Sequence, residues 1–174
     1  MPPIQKGDWK FTAEPNEVIV FDGHLLTAET NVDLKLTNST DKKRTYKVKC
    51  TSNDMFRIRP PVGKLDPGES ATINLTLNQF ASKDKIPADG THLISIYHIP
   101  MPDGDDPPRK VWGDHTGDPE GLRRIPTNFV NRDADKEEKK EEEKKDDKPA
   151  EEKKEEKKEG KKEEKPAAEP EKKA

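Results

Sequence analysis

From Phe56 to Leu77 the chain alternates, stops, reverses and alternates again, and few folds accept that order. Phe56 and Ile58 fall on one side of an extended segment, Arg57 and Arg59 on the other. Pro60-Pro61 then ends the ladder, because proline has no N–H to donate and holds φ fixed. Asp66-Pro67-Gly68 reads as a tight reversal: Pro presets the first central position and Gly accepts positive φ at the second. Ile73, Leu75 and Leu77 next alternate with Thr72, Asn74 and Thr76, a period of two. One apolar and one polar face predict a strand that covers one side of a β-sandwich.

The same grammar recurs along residues 9–131. Phe11 to Phe21 holds a turn-like Glu14-Pro15-Asn16 and then four apolar residues, Val18 to Phe21. That run predicts a strand covered on both faces or one that changes sheet. Val32, Leu34 and Leu36 share a face, and Asn38-Ser39-Thr40-Asp41 is a turn cluster whose side chains can bond their own backbone. Tyr46, Val48 and Cys50 are expected inward, with Lys47 and Lys49 outward. Gln79 to Gly90 reads as a long loop with at most a helical turn, His92 to Ile99 as a strand, Arg109 to Trp112 as a short strand, and Ile125 to Val130 as a last extended piece. About seven strands at roughly ten-residue spacing, with turns between them, predict an all-β, seven-stranded immunoglobulin-like β-sandwich. A single cysteine makes it a disulfide-free variant and suits a reducing compartment.

Composition sets the boundaries. Residues 132–174 hold no aromatic, no β-branched residue and no Leu. Such a segment cannot bury enough apolar surface to offset its ordering entropy. Its EEKKEEKKE pattern repeats every four residues, so in a helix Glu would face Glu and Lys would face Lys. The reading is a flexible N-terminal arm over 1–8, one sandwich domain over 9–131 and a disordered charged tail over 132–174, acting as spacer or weak multivalent contact. The tail has no Ser or Thr to phosphorylate. MPPIQKGDWK lacks the apolar core of a signal peptide, and no apolar run approaches a membrane span, so direct membrane insertion is not expected. Two sequons, at Asn38 and Asn74, then carry no glycan expectation.

Charge is close to balanced: 16 Lys/Arg against 18 Asp/Glu in the tail, 17 against 18 before it. A nucleic-acid partner would call for a basic excess. The one concentrated basic cluster is Lys42, Lys43, Arg44, Lys47 and Lys49. It reads either as a docking face for an acidic partner segment or as a solvated hairpin tip that discourages edge aggregation. Catalytic, cofactor and metal residues are expected to be none. His92 and His98 would lie about 20 Å apart along one strand at ~3.3 Å per residue, too far to share a metal. Gly63 to Gly68 lacks the phosphate-loop order. The acidic loop at Asp103, Asp105 and Asp106 has Asp114, not Glu, at its twelfth position, and Pro107-Pro108 within it. Cys50 is expected to be a buried core thiol.

LKLTNSTDKKRTYKVKCTSNDMFRIRPPVGKLDPGES resembles the major sperm protein (MSP) domain, found also in the VAMP-associated proteins of the endoplasmic reticulum. The resemblance covers about residues 11–130. Pro102-Asp103-Gly104, Val111-Trp112, Gly121 to Arg124 and Ile125-Pro126 are similar to the end of the nematode sperm proteins. The resemblance implies a cytoplasmic, cytoskeletal role in the sperm pseudopod. Its partners would be MSP filaments or subunits and other filament-accessory proteins, with a homodimer possible because the MSP subunit itself dimerises. A long charged tail after the domain looks like an accessory protein that tunes filament growth. The VAMP-associated branch implies an alternative, an adaptor for short acidic (FFAT) peptides. That branch's K-V-K-T-T falls on Lys47 to Thr51, with both lysines kept. Its K-F-M falls on Thr91, His92 and Leu93, without the cation or the methionine. Each charge-assisted hydrogen bond that the missing cation would have made is worth about 1–3 kcal/mol.

Overall fold

Proline and turn chemistry decide where the chain changes sheet. The computed structural model describes residues 2–133 apart from 103 and 105. In chain order its elements are β1 (Ile4–Gly7), β2 (Phe11–Glu14), β3 (Ile19–Gly23), β4 (Thr30–Asn38), β5 (Arg44–Cys50), β6 (Phe56–Arg59), β7 (Val62–Leu65), β8 (Ser70–Leu77), β9 (Leu93–Pro100), the helix α1 (Pro108–Asp114) and β10 (Gly121–Asn131). One sheet runs β2-β4-β8-β6. The other runs β1-β10-β9-β5-β7, with β3 added to the far half of β10. All pairings are antiparallel except β3 with β10.

The immunoglobulin-like sandwich expected from the alternation is the fold that forms. Its strand segments number ten rather than seven among the described residues. Two expected runs are each broken at proline and shared between the sheets: β2 and β3 around Pro15, β6 and β7 around Pro60-Pro61. The Val18–Phe21 run is therefore the strand that changes sheet. Ile19 and Phe21 are buried while Val20 is exposed, so it is not covered on both faces. The remaining extra strand is β1. Residues 1–8 were expected to be a loose arm, yet Ile4 to Gly7 pair with Arg124 to Gly121 along the edge of β10. A four-residue edge strand with mostly exposed side chains leaves little alternation to read.

Phe11, Phe21, Leu34, Leu36, Tyr46, Val48, Phe56, Ile73, Leu75, Ile94, Ile96 and Ile125 meet between the sheets. Each large apolar side chain buried there contributes roughly 1.5–3 kcal/mol. The reversal at Asp66-Pro67-Gly68 forms as read: the Glu69 N–H donates to the Asp66 carbonyl at 3.0 Å and Gly68 has φ 76°. Gln79–Gly90 holds one 3-10 turn, Lys83–Lys85.

Three expectations are corrected. Arg109 to Trp112 is helical, not extended. Pro108 opens the helix at a position where its fixed φ fits, Lys110 pairs with Asp106 one turn back at 2.9 Å, and Val111 packs with Ile99 and Met101. Three or four residues cannot separate a period of two from one of 3.6. Cys50 packs against the core as expected but is only half-buried, its Sγ–H donating to the Ser52 carbonyl at 3.3 Å. The domain also reaches past 131: Asp133 is buried and accepts from the Leu26 N–H at 2.7 Å and the Thr27 hydroxyl at 3.0 Å. The tail expected over 132–174 lies, from residue 134 onward, outside the described residues. So do Asp103 and Asp105 of the acidic loop.

Candidate protein-binding face

β5 is the strand that builds the site. Arg44, Tyr46 and Val48 point into the molecule, which turns Thr45, Lys47 and Lys49 outward. The register carries that outer face across the sheet. Lys47 lies opposite Tyr97 on β9, and Tyr97 opposite Leu122 on β10. Lys49 lies opposite Ser95, and Ser95 opposite Arg124. On β1, Lys6 lies opposite Leu122. Directly opposed residues share a face, so Lys6, Lys47, Lys49 and Arg124 lie on one sheet face with Tyr97, Leu122 standing between Tyr97 and Lys6. No Asp or Glu occupies an outward position of β1, β5, β7 or β9.

The lysines are positioned by rings. Lys49 Nζ sits 5.8 Å from the Tyr97 ring and Lys47 Nζ 5.4 Å from the Trp112 ring. Trp112 is fixed in turn: its Nε1–H donates to Thr45 Oγ1 at 3.1 Å, and the Thr45 hydroxyl donates to the Gly63 carbonyl at 2.8 Å. Thr45 is wholly buried under α1.

The five residues of the sequence cluster are not brought together. Lys47 and Lys49 lie on the outer face. Lys42 and Lys43 lie at the β4–β5 turn, where they line a separate groove with Pro100, Met101 and Pro102. Lys43 pairs with Asp66 at 3.1 Å. Arg44 leaves the cluster altogether: it is buried, pairs with Glu120 and donates from Nε to Thr40 Oγ1 at 3.1 Å. Lys6, Tyr97 and Arg124, which sequence reasoning missed, belong to the face by register alone. A local signal exists for Tyr97 only, in its alternation with Ile96 and His98.

The two segments matched to the acidic-peptide branch do meet. The Thr51 N–H donates to the Leu93 carbonyl at 3.2 Å, and Thr51 Oγ1 lies 2.9 Å from His92 Nδ1. Neither Thr91 nor His92 replaces the missing cation. His98 stands apart at the core side of the same strand. It is fully buried against Trp9 and Phe11, and its Nε2 accepts the Lys10 N–H at 3.0 Å. Its Nδ1 faces Glu120 at 3.6 Å. Burial first, then the Arg44 charge, pushes the imidazole down to about 4, against the opposing pull of Glu120. Burial pushes the Cys50 thiol up, which favours the protonated form at neutral pH. Among the described residues no three His, Cys, Asp or Glu are grouped to hold a metal, and no helix is long and apolar enough to cross a membrane.

Comparison with known proteins bears on this architecture. The solved structure of SSP-19, an MSP-domain protein like family member in Caenorhabditis elegans, superposes with a TM-score of 0.55 at 22% identity, covering 68% of this chain and 98% of that one. That likeness speaks for the fold alone. A C. elegans protein described as uncharacterized protein ZC262.1 is 37% identical over 101 residues, 58% of this chain and 72% of that one. Two further C. elegans relatives are spanned over 53% and 57% of their length. Human vesicle-associated membrane protein-associated protein A is 34% identical over 67 residues, 38% of this chain and 26% of that one. The family model for the MSP (major sperm protein) domain matches residues 10–116, and with the sandwich, its proline-marked sheet crossings and these relatives in view, the chain belongs to the MSP domain family.

Proposed function

We propose that this chain is a non-enzymatic protein-binding accessory of MSP filaments. In this reading it docks an acidic segment of MSP filaments or subunits on the outer face of the β5-containing sheet, and so modulates filament assembly or stability in the cytoplasm of nematode sperm. The observation that carries it is that Lys6, Lys47, Lys49 and Arg124 share one sheet face with Tyr97, with no carboxylate at the outward positions of β1, β5, β7 and β9. Such a face raises the encounter rate with acidic partners and rejects basic ones. Lys42 and Lys43 are peripheral in this reading and Arg44 is structural.

Co-sedimentation with assembled MSP filaments tests it. The full chain and a chain ending at Asp133 are expected to pellet alike. The truncation point follows the Asp133 contacts rather than the composition break at 131. Lys47→Glu with Lys49→Glu is expected to stay in the supernatant while melting within a few degrees of the parent. A double variant that pellets undiminished removes the face from the proposal. Pelleting by the full chain alone assigns the contact to 134–174 instead.

A second reading, an adaptor for short acidic peptides, is favoured by the meeting of Thr51 with His92 and Leu93. Pull-down by an acidic peptide, abolished by Lys49→Glu, from a chain that does not pellet with assembled MSP filaments would select it.

A further inference from the structure

We propose that β1 is a releasable part of the docking face, latched by the buried His98 imidazole, and that a proton on this imidazole opens the latch and takes Lys6 off the face. The part played by Lys6 rests on the docking reading above; the latch itself does not. β1 is joined to β2 by a three-residue link, Asp8-Trp9-Lys10, that closes over His98. The Asp8 N–H donates to the Glu120 carbonyl at 2.8 Å and the Lys10 N–H to His98 Nε2 at 3.0 Å. The Trp9 and Phe11 rings lie 5.4 and 4.9 Å from the imidazole. The fit is close: a side chain on Gly121 would collide with His98 Nε2, and one on Gly7 with the Glu120 carbonyl.

Because Nε2 accepts the Lys10 N–H, the neutral ring carries its proton on Nδ1. Nδ1 is buried without a hydrogen bond, Glu120 lying 3.6 Å away. A second proton therefore goes to Nε2. It removes the acceptor that holds Lys10 and places a charge on a fully buried ring. The groups around the ring do not offset that cost. Glu120 and Asp8, through its carbonyl and its carboxylate, favour the charge, but burial above all and Arg44 on β5 oppose it. Lys10 is paired with Asp8, and Tyr46, directly opposite on β5, is kept neutral by burial. Hydrating the ring needs one neighbouring segment to give way, and the arm is the weakest. β1 has four residues, three of them exposed, and pairs with β10 alone among the described residues. None of them belongs to the apolar core. β5 and β10 are held along β9 by long ladders, and Phe11 and Ala13 anchor β2 in the core. Local opening of so thinly held an element costs less than global unfolding. Opening returns the ring from about 4 toward the ordinary 6.5, so the open form takes up a proton in that window and gains population as pH falls.

Amide hydrogen exchange on the full chain tests the latch, with protection taken relative to an unstructured peptide at the same pH. The Asp8 and Lys10 amides are expected to lose roughly tenfold in protection between pH 7.0 and 5.0. At both they are expected to be less protected than Val48, whose N–H donates to the Pro61 carbonyl at 2.7 Å. His98→Gln, whose side chain can still accept from Lys10, is expected to remove the pH dependence. Protection equal to that of Val48 at both pH values means that the arm leaves only on global unfolding, and overturns the latch. Protection of Asp8 and Lys10 unchanged by pH overturns it too, and needs no variant to fold. An equal loss in His98→Gln does the same. At pH 7.0, Lys6→Glu is expected to lower pelleting with MSP filaments about threefold. Undiminished pelleting overturns the part of Lys6 in docking and leaves the latch to the exchange result. Failure of the parent chain to pellet brings down the docking reading, again without touching the latch.

Discussion

At the residue scale, polar groups rather than apolar ones distinguish this sandwich from a generic one. Asn38 is fully buried at the end of β4. Its Nδ2 faces the carbonyls of Lys42, Leu65 and Asp66 at 2.8–3.1 Å, and its Oδ1 accepts the Thr40 hydroxyl at 2.7 Å. One side chain thus ties the β4–β5 turn to the β7–β8 turn. Asn38→Ala strands those buried groups and is expected to cost about 2–4 kcal/mol, read as a fall in the urea midpoint. His98 gives a pH prediction. Its folded value of about 4 lies below the ordinary 6.5. Between the two, the unfolded chain takes up a proton that the folded chain refuses. The stability present above about 6.5 is therefore lost as pH falls toward 4. Urea midpoints at pH 7.0, 5.5 and 4.5 are expected to drop for the parent and to drop less for His98→Gln. Parallel profiles would show that His98 does not set the slope.

At the element scale, contacts distant in sequence hold the ends of strands. β7 fits against β5 only because Gly63 has no side chain: a methyl group there would enter the space of the buried Tyr46 ring. Gly63→Ala is expected to lower stability by about 1–3 kcal/mol through that overlap, with Gly68→Ala as a comparison. Gly68 has open space around it but φ of 76°, so its cost is backbone strain alone, about 1 kcal/mol. Asp133 performs a similar task for β10 by accepting from Leu26 and Thr27, with His24 at 3.4 Å. Burial, the largest single influence, pushes its carboxyl up, but the Leu26 N–H, the Thr27 hydroxyl and His24 together outweigh it and lower the carboxyl. A chain ending at Asn131 is expected to melt several degrees below one ending at Asp133, measured by circular dichroism.

At the scale of the whole molecule, the near-zero net charge conceals a polarised surface. The charge count before residue 132 gives no basic excess, yet one sheet face concentrates four cations alongside Tyr97. Docking driven by that face is expected to weaken steadily as NaCl rises from 50 to 500 mM, since exposed charges are screened beyond about 10 Å at 0.1 M. Binding that is indifferent to salt would remove those charges as the source of affinity.

Alternation, turn residues and proline positions were enough to establish most strands, their inward faces and the sandwich class, because period two and the absence of an N–H in proline act on the local chain. The turn at Asp66-Pro67-Gly68 and the inward row Ile73, Leu75 and Leu77 needed nothing else. What the sequence could not settle was assignment across space. Arg44 and Lys47 look alike as neighbours in a basic cluster, and only the pleat of β5 together with Glu120, 76 residues away, buries one and exposes the other. Lys6 and Arg124 join Lys49 through strand register, which no single segment encodes. Arg109 to Trp112 became helical because Val111 found Ile99 and Met101 and Trp112 found Thr45. Local propensity fixes which way a side chain points along its own strand; tertiary packing decides what it meets there.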